Sequence, residues 1–530
     1  MRPIVPFSLS VGLLAVVVAL PGCSESSLKS GDYASDASTA ASDGDDDDSW
    51  TAGDDDDDST TEPPEQEADQ LALPPAQTEK YVFVANPDRD TVTRINVRSQ
   101  EVDTTEVGNG PDLVLTTPDY TAAVVHNRGE DSVSLIEAAS LDQVVIPVRQ
   151  DLNQMVMSPD GAWVVLFHDI ARERDDDPAP QGLQSFNEIS LIHTVTGEHF
   201  PMAVGFNPRM VRYTSDSAQA LVVSDAYLAV IDLLDDQPLP DLIELSPDVI
   251  EPPVAEEVVI SGSGTFAFVR QFGTDEILVV DLDAKTVDAI PVGLNPTDLD
   301  LSPDGRQAVI VARGARELWR LRADDPFAPA DVLPFPDDLA MGSLLFDPTG
   351  DQAVLYTTAS ELDRFMTWDL ADDTIRTRAL VKPVTGMAIT PTGESMLAFH
   401  TKEDAIGAAP SPFTGSWALT IFSLDDFRSN PLKLPGEPIG YANSDDGDRG
   451  YFIMDGQPFL SLLDYTTMLA DEVPLKSDPL YVGVLPNLDG GDEPPAWVSQ
   501  DHELGRISFY DPNTADLETI TGFELNAAIE

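Results

Sequence analysis

Ser158-Pro159-Asp160-Gly161 and Ser302-Pro303-Asp304-Gly305 are one four-residue turn written twice. Close variants stand at 117–120 (TPDY), 214–217 (TSDS), 261–264 (SGSG), 347–350 (DPTG), 390–393 (TPTG), 444–447 (SDDG) and 487–490 (NLDG), so that the turn returns in steps of 41 to 56 residues. Within the turn, proline presets φ, aspartate caps the bend and glycine accepts positive φ. A β-turn returning every forty-odd residues is the mark of a β-propeller.

The segments between turns share a grammar. A strand such as Tyr81–Asn86 or Gln307–Val311 follows the turn, a third ends in a polar residue (Ile277–Leu282), and a fourth alternates (Val287–Val292). Gly-x-x-Pro then opens the next unit, at 108–111, 205–208 and 293–296. Short β-branched runs bounded by Gly, Pro, Asn and Asp read as four antiparallel strands, an all-β blade buried on both faces. Second strands start near 81, 121, 163, 219, 266, 307, 352, 395, 450 and 496, which counts ten units. One large ring is favoured, because no linker-like break follows residue 80; two smaller propellers in tandem remain open. The first unit lacks its innermost strand, and the tail Phe523-Glu524-Leu525-Asn526 is placed to supply it.

This repeat resembles the YVTN-type units of lactonase-like propellers, over residues 80 to about 521. The resemblance implies the fold and leaves function open, since such propellers serve as enzymes, binders and scaffolds.

The N-terminus reads as an address. Met1-Arg2 is followed by the apolar run Val11–Leu20, too short to span a bilayer, and then by Leu20-Pro21-Gly22-Cys23. That box is similar to the bacterial lipoprotein signal. The similarity implies a signal peptide over 1–22, an acylated Cys23 and, with Ser24 next, sorting to the outer membrane. Cys23 is the single cysteine of the chain, so no internal disulfide is available. Residues 23–79 form an acidic tether with aspartate runs at 45–48 and 54–58, too poor in apolar residues to fold alone. The propeller then occupies 80–530.

Charge excludes one class of partner. The chain carries 94 acids and 29 bases, a formal −65; residues 1–79 hold 18 acids and two bases, which leaves −49 for the rest. Such a surface repels nucleic acid. The expected partners are the membrane, through lipid on Cys23, and an envelope protein or glycan. No cofactor is expected.

Sorting the loops sorts the candidate site. The Ser-Pro-Asp-Gly turns and the third-to-fourth-strand loops share one face. The second-to-third-strand loops and the crossovers share the other, where propellers bind ligands by family resemblance. That face collects the ends of the second strands: His126, Asn127, His168, Asp169, Asp225, Arg270, Arg313, His400 and Asp455. Three of the six histidines stand there, with the two longest insertions, 170–187 and 404–416. Long loops on one rim are where function collects. No nucleophile elbow, P-loop or paired metal-ligand motif occurs, so no catalytic residue is assigned and the metal question stays open. The favoured function is an anchored binding or scaffold module. The alternative is a lactonase-like or metal-dependent hydrolase centred on His126, His168 and Asp169. Trp163, Trp319, Trp368, Trp417 and Trp497 are expected to pack between blades.

Overall fold

The computed structural model describes residues 75–170, 186–247, 252–359, 362–405, 407, 409–444, 446–487 and 491–525. The signal, Cys23, the tether up to residue 74, residues 171–185 of the first insertion, most of the 487–490 turn and Asn526 lie outside the described residues, whereas 76–77, read from the sequence as the end of the tether, belong to the first blade.

Ten four-stranded antiparallel sheets follow one another, each in simple strand order. Blades 1 to 10 span 76–106, 111–147, 154–203, 210–244, 255–291, 296–334, 343–379, 384–433, 438–474 and 479–521. Eight of the ten second strands begin at the residue read from the sequence; the other two, Ala122–Asn127 and Arg449–Met454, begin one residue away.

Ten apolar clusters fill the ten seams between neighbouring blades. One of them joins Val82, Ile95 and Val97 of blade 1 to Trp497, Ile507, Phe509, Ile520 and Phe523 at blade 10. The blades therefore close into a single ring. The five tryptophans in or beside strands all pack in these seams: Trp163, Trp368 and Trp497 buried, Trp319 and Trp417 partly so.

The closure differs from the sequence reading. Blade 1 has its own innermost strand, Ala76–Gln77, paired to Phe83 and Val82. Blade 10 is complete from residues 479–521, and Phe523–Leu525 form a 3₁₀ turn rather than a donated strand. The first strand is held to two residues because Pro75 has no N–H to give a ladder and Thr78 already turns the chain, its hydroxyl accepting the Tyr81 amide at 3.0 Å. Side chains do the joining instead. Gln77 Nε2 donates to Val484 O at 2.5 Å, Trp497 Nε1 donates to Gln77 Oε1, and Thr93 Oγ1 donates to Phe523 O at 3.3 Å.

The repeated turn has a second purpose. Within it, Ser158 Oγ donates to Asp160 Oδ1 at 2.6 Å and accepts the Trp163 amide at 3.0 Å, while Gly161 takes φ +74°. The 302–305 turn repeats these bonds, and the Ser302 hydroxyl, then the Arg306 amide, hold Asp304 below the usual carboxylate range. Successive turns also touch: a methyl group on Gly161 would lie 2.6 Å from Pro118 Cδ of the previous turn, and one on Gly393 would lie 3.4 Å from Pro348 Cδ. Proline of one turn thus meets glycine of the next at three places, Pro118 with Gly161, Pro303 with Gly350 and Pro348 with Gly393. Gly161→Ala combines a left-handed backbone with that overlap, and the expected loss is about 2–4 kcal/mol in chemical denaturation. The polar ends of the third strands have a local reason too: Asp281 Oδ1 accepts the Asp283 and Ala284 amides at 3.1 and 2.7 Å, closing the hairpin to the fourth strand.

Candidate ligand-binding face

The register fixes the two faces. The ends of the second strands pair with the beginnings of the first, as Pro111 with Asn127, Val384 with His400 and Pro479 with Gln500. Second-strand ends, crossovers and second-to-third-strand loops therefore share one rim, called here the loop face. The Ser-Pro-Asp-Gly turns occupy the opposite rim, the turn face.

The polar residues expected to meet ligand on the loop face are mostly turned inward. His126, His168 and His400 are all buried. They do not share one register position: His126 pairs with Leu113 inside its strand, His400 ends its strand, and His168 follows Trp163–Phe167. Their rings nonetheless act alike. Nδ1 of His126 meets Asp112 Oδ1 at 2.8 Å, Nδ1 of His168 meets Asp151 O at 2.7 Å, and Nδ1 of His400 meets Lys382 O at 2.9 Å. In each case a second-strand end is tied to the innermost strand or to the crossover leading into it.

Asn127 belongs to a different lock. Its Nδ2 donates to Ser132 Oγ and Ser134 Oγ, both at 3.0 Å, as Asn86 does to Thr91 and Thr93. Gln500 reaches Ser508 Oγ, and His400 Nε2 pairs with Thr420 Oγ1 at 2.7 Å. An amide or imidazole ending the second strand, bonded to a hydroxyl on the third, thus recurs in blades 1, 2, 8 and 10.

The remaining candidates vary. Asp169 is buried and its amide donates to Asn153 Oδ1 at 2.8 Å. Asp225 accepts from Asn207 Nδ2 and Arg209 Nε, both at 2.9 Å. Arg270 is buried against Glu257 and, at 2.6 Å, Glu256 Oε2. Arg313 is buried. Asp455 is exposed; burial first, then the Asp455 and Glu403 carboxylates, raise the pKa of Glu437. Among the described residues, no group of three or more His, Cys, Asp or Glu is arranged to hold a metal ion.

Two groups, the buried His400 and the half-buried Asp300, titrate in opposite senses. Burial pulls His400 down to about 4. Its folded-state value lies below its unfolded one, so it contributes stability above about pH 6.5 that is lost as pH falls toward 4. Burial, then the Glu257 carboxylate, pushes Asp300 up to about 7. Its folded form holds a proton that the unfolded chain has released, so stability falls as pH rises from about 4 to 7. His400→Gln keeps a hydrogen-bonding side chain of the kind Gln500 supplies in blade 10. The stability difference between parent and H400Q should therefore grow by about 3 kcal/mol from pH 4 to pH 7 in urea titrations. Asp300→Asn should show the opposite trend.

One residue absent from the sequence reading organises this rim. Lys382, in the crossover to blade 8, is 2 % exposed. Its Nζ donates to the carbonyls of Lys402 (2.7 Å), Ser416 (2.9 Å) and Phe413 (3.2 Å), and lies 3.2 Å from Asp404 Oδ1. One ammonium thus ties both ends of the second insertion to the body. Its only sequence signal is a lone lysine between Leu380-Val381 and Pro383-Val384. Exposed apolar side chains stand on the same rim: Phe206, Leu294 and Val381 on crossovers, Ile170 and Phe272 on second-to-third-strand loops. Phe206 packs on Phe186 at 6.2 Å between ring centroids, and Phe186 on His168 at 5.2 Å.

No family model matches the chain, and no curated protein matches it. Solved structures do. A crystal structure of the eukaryotic initiation factor superposes with a TM-score of 0.50 at 10% identity, over 75% of this chain and 97% of that one. The dihydro-heme d1 dehydrogenase NirN, in complex with DHE, gives 0.44 at 13% identity over 77% and 76%. The β-propeller domain of Cps50 (Swd1) from Myceliophteria thermophila gives 0.33 at 13% over 56% and 94%. The protein is a ten-bladed β-propeller. At these identities the likeness concerns the fold alone, and what the propeller binds has to be argued from its own rim.

Proposed function

We propose that the chain is an envelope-anchored propeller that binds a protein or glycan through its loop face, held to the membrane by lipid on Cys23. The observation that carries this reading is the clamped insertion. Residues 405–416 contain no charged side chain in a chain of net −65, and the buried Lys382 holds both ends of the loop. A loop whose two ends are held before binding has less conformational entropy to lose on binding, which favours recognition. Phe206, Leu294 and Val381 add uncharged surface on the same rim. The YVTN-type resemblance supports the same reading, because ligand sites of such propellers lie on this rim.

Affinity capture from detergent-solubilised envelope with the full-length protein tests the face. Phe206→Asp combined with Leu294→Asp should lose the captured partner, whereas Phe327→Asp on the turn face should retain it. Equal capture by both variants would remove the loop face from consideration. The anchor has its own test: Cys23→Ser should abolish incorporation of a radiolabelled fatty acid and release the protein from the membrane fraction.

A further inference from the structure

Among the described residues, each blade ends in an outer strand with one unpaired edge, which gives the ring ten free edges. An unguarded edge is a template for another strand, and proteins guard edges with charges or proline. Nine of the ten are guarded, as by Asp103 in blade 1, Pro201 within the blade 3 strand and Asp241 in blade 4. Blade 2 is the exception. Its outer strand, Gln143–Pro147, reads QVVIP, with no charge and a proline only at its last position. Val144 is 60 % exposed and Val145 47 %. Adjacent residues of a strand point to opposite sides of the sheet, so both sides of this edge stand open.

We propose that the outer edge of blade 2 accepts an extended, β-branched segment of a partner protein as a fifth strand, with lysine or arginine at the end that meets Asp142. Strand addition pairs the free backbone groups and covers both valines, so affinity comes from the ladder and selectivity from alternate side chains. Charge selects the occupant. Three acidic residues stand at the Gln143 end: Asp142 precedes it, Glu137 donates its backbone amide to Asp142 O at 2.9 Å, and the Gln143 side chain donates to the backbone carbonyl of Glu106. All three acidic side chains are exposed. A second copy of the chain would bring the same carboxylates and a charge of −65, whereas a basic segment is drawn to this end. This surface lies on the circumference, apart from the loop face, and does not depend on the function proposed there.

The test is fluorescence anisotropy at low salt, with the full-length protein and a labelled Lys-Lys-Val-Thr-Val-Thr-Val peptide. Saturable binding is expected. Val144→Lys with Val145→Lys should weaken it about tenfold or more, while leaving the melting curve unchanged. Leu242→Lys on the blade 4 outer strand should leave binding as in the parent, and a Glu-Glu version of the peptide should bind at least about tenfold less tightly. No binding by the parent, or equal binding by the double-lysine variant, overturns the proposal. Sedimentation showing a dimer that the double-lysine variant dissolves would assign the edge to a second copy and overturn the occupant proposed.

Discussion

Phe523→Ala should destabilise the protein by about 3–5 kcal/mol, with the loss starting at the seam between blades 10 and 1. Every other seam joins blades that the chain itself connects. Among the described residues this one has no peptide link and no exchanged strand, so there it depends on packing and a few side-chain bonds. Phe523 is 3 % exposed within that seam, and its carbonyl accepts from Thr93 Oγ1. Arg89 Nε on blade 1 adds a bond to Glu524 Oε2 at 3.2 Å, partly exposed and of smaller weight. Truncation leaves a cavity beside Ile507, Phe509 and Val97 in the same cluster. Equilibrium denaturation measures the loss. Hydrogen exchange locates it, with protection falling first in Tyr81–Asn96 and 506–521. A uniform fall across all blades, or a loss below about 1 kcal/mol, would mean that the C-terminal turn does not clasp the ring.

The second large effect belongs to Lys382→Met. Methionine keeps an apolar stem in the crossover but leaves three carbonyls and the Asp404 carboxylate without their ammonium. Breaking a buried charge pair on one side costs about 3–5 kcal/mol. The loss should be local as well as global: proteolysis within 405–412 should accelerate, because both ends of that loop are tied to this one group. Binding at the loop face should weaken with it. Asp404→Asn removes the countercharge while keeping the backbone acceptors, and its effect should be smaller. If the loop in K382M is cut no faster than in the parent, the clamp has no such role.

The repeat makes much of this protein legible. Ser158–Gly161 and its variants mark where each second strand begins, because a turn with proline, aspartate and glycine at fixed offsets has few conformations open to it. The count of ten follows from that, and so does the sorting of loops into two faces. The two-residue strand Ala76–Gln77 is hidden because periodicity needs more than two residues to show. The tail reads as a strand because Phe523 is apolar and follows the last blade. Its packing against blade 1 depends on ring closure, which no local pattern encodes. Position alone finds the loop-face histidines, but their burial and their bonds to Asp112, Asp151 and Lys382 are not readable from spacing. Lys382 escapes a sequence reading for a related reason: a lysine is ordinarily solvated, and only the folded insertion surrounds this one with acceptors. The bare edge at Val144–Val145 becomes visible only by comparison with the nine other outer strands.

The central functional claim is that the loop face is the working rim of the propeller. Site-specific photocrosslinking in intact cells tests it most directly, with a photoreactive phenylalanine analogue placed singly at Phe206, Ser411, Leu234 or Phe327. All four side chains are exposed, the first two on the loop face and the last two on the turn face. A working loop face predicts a discrete adduct from Phe206 and Ser411 and none from Leu234 or Phe327. Adducts from the turn-face positions alone would contradict it.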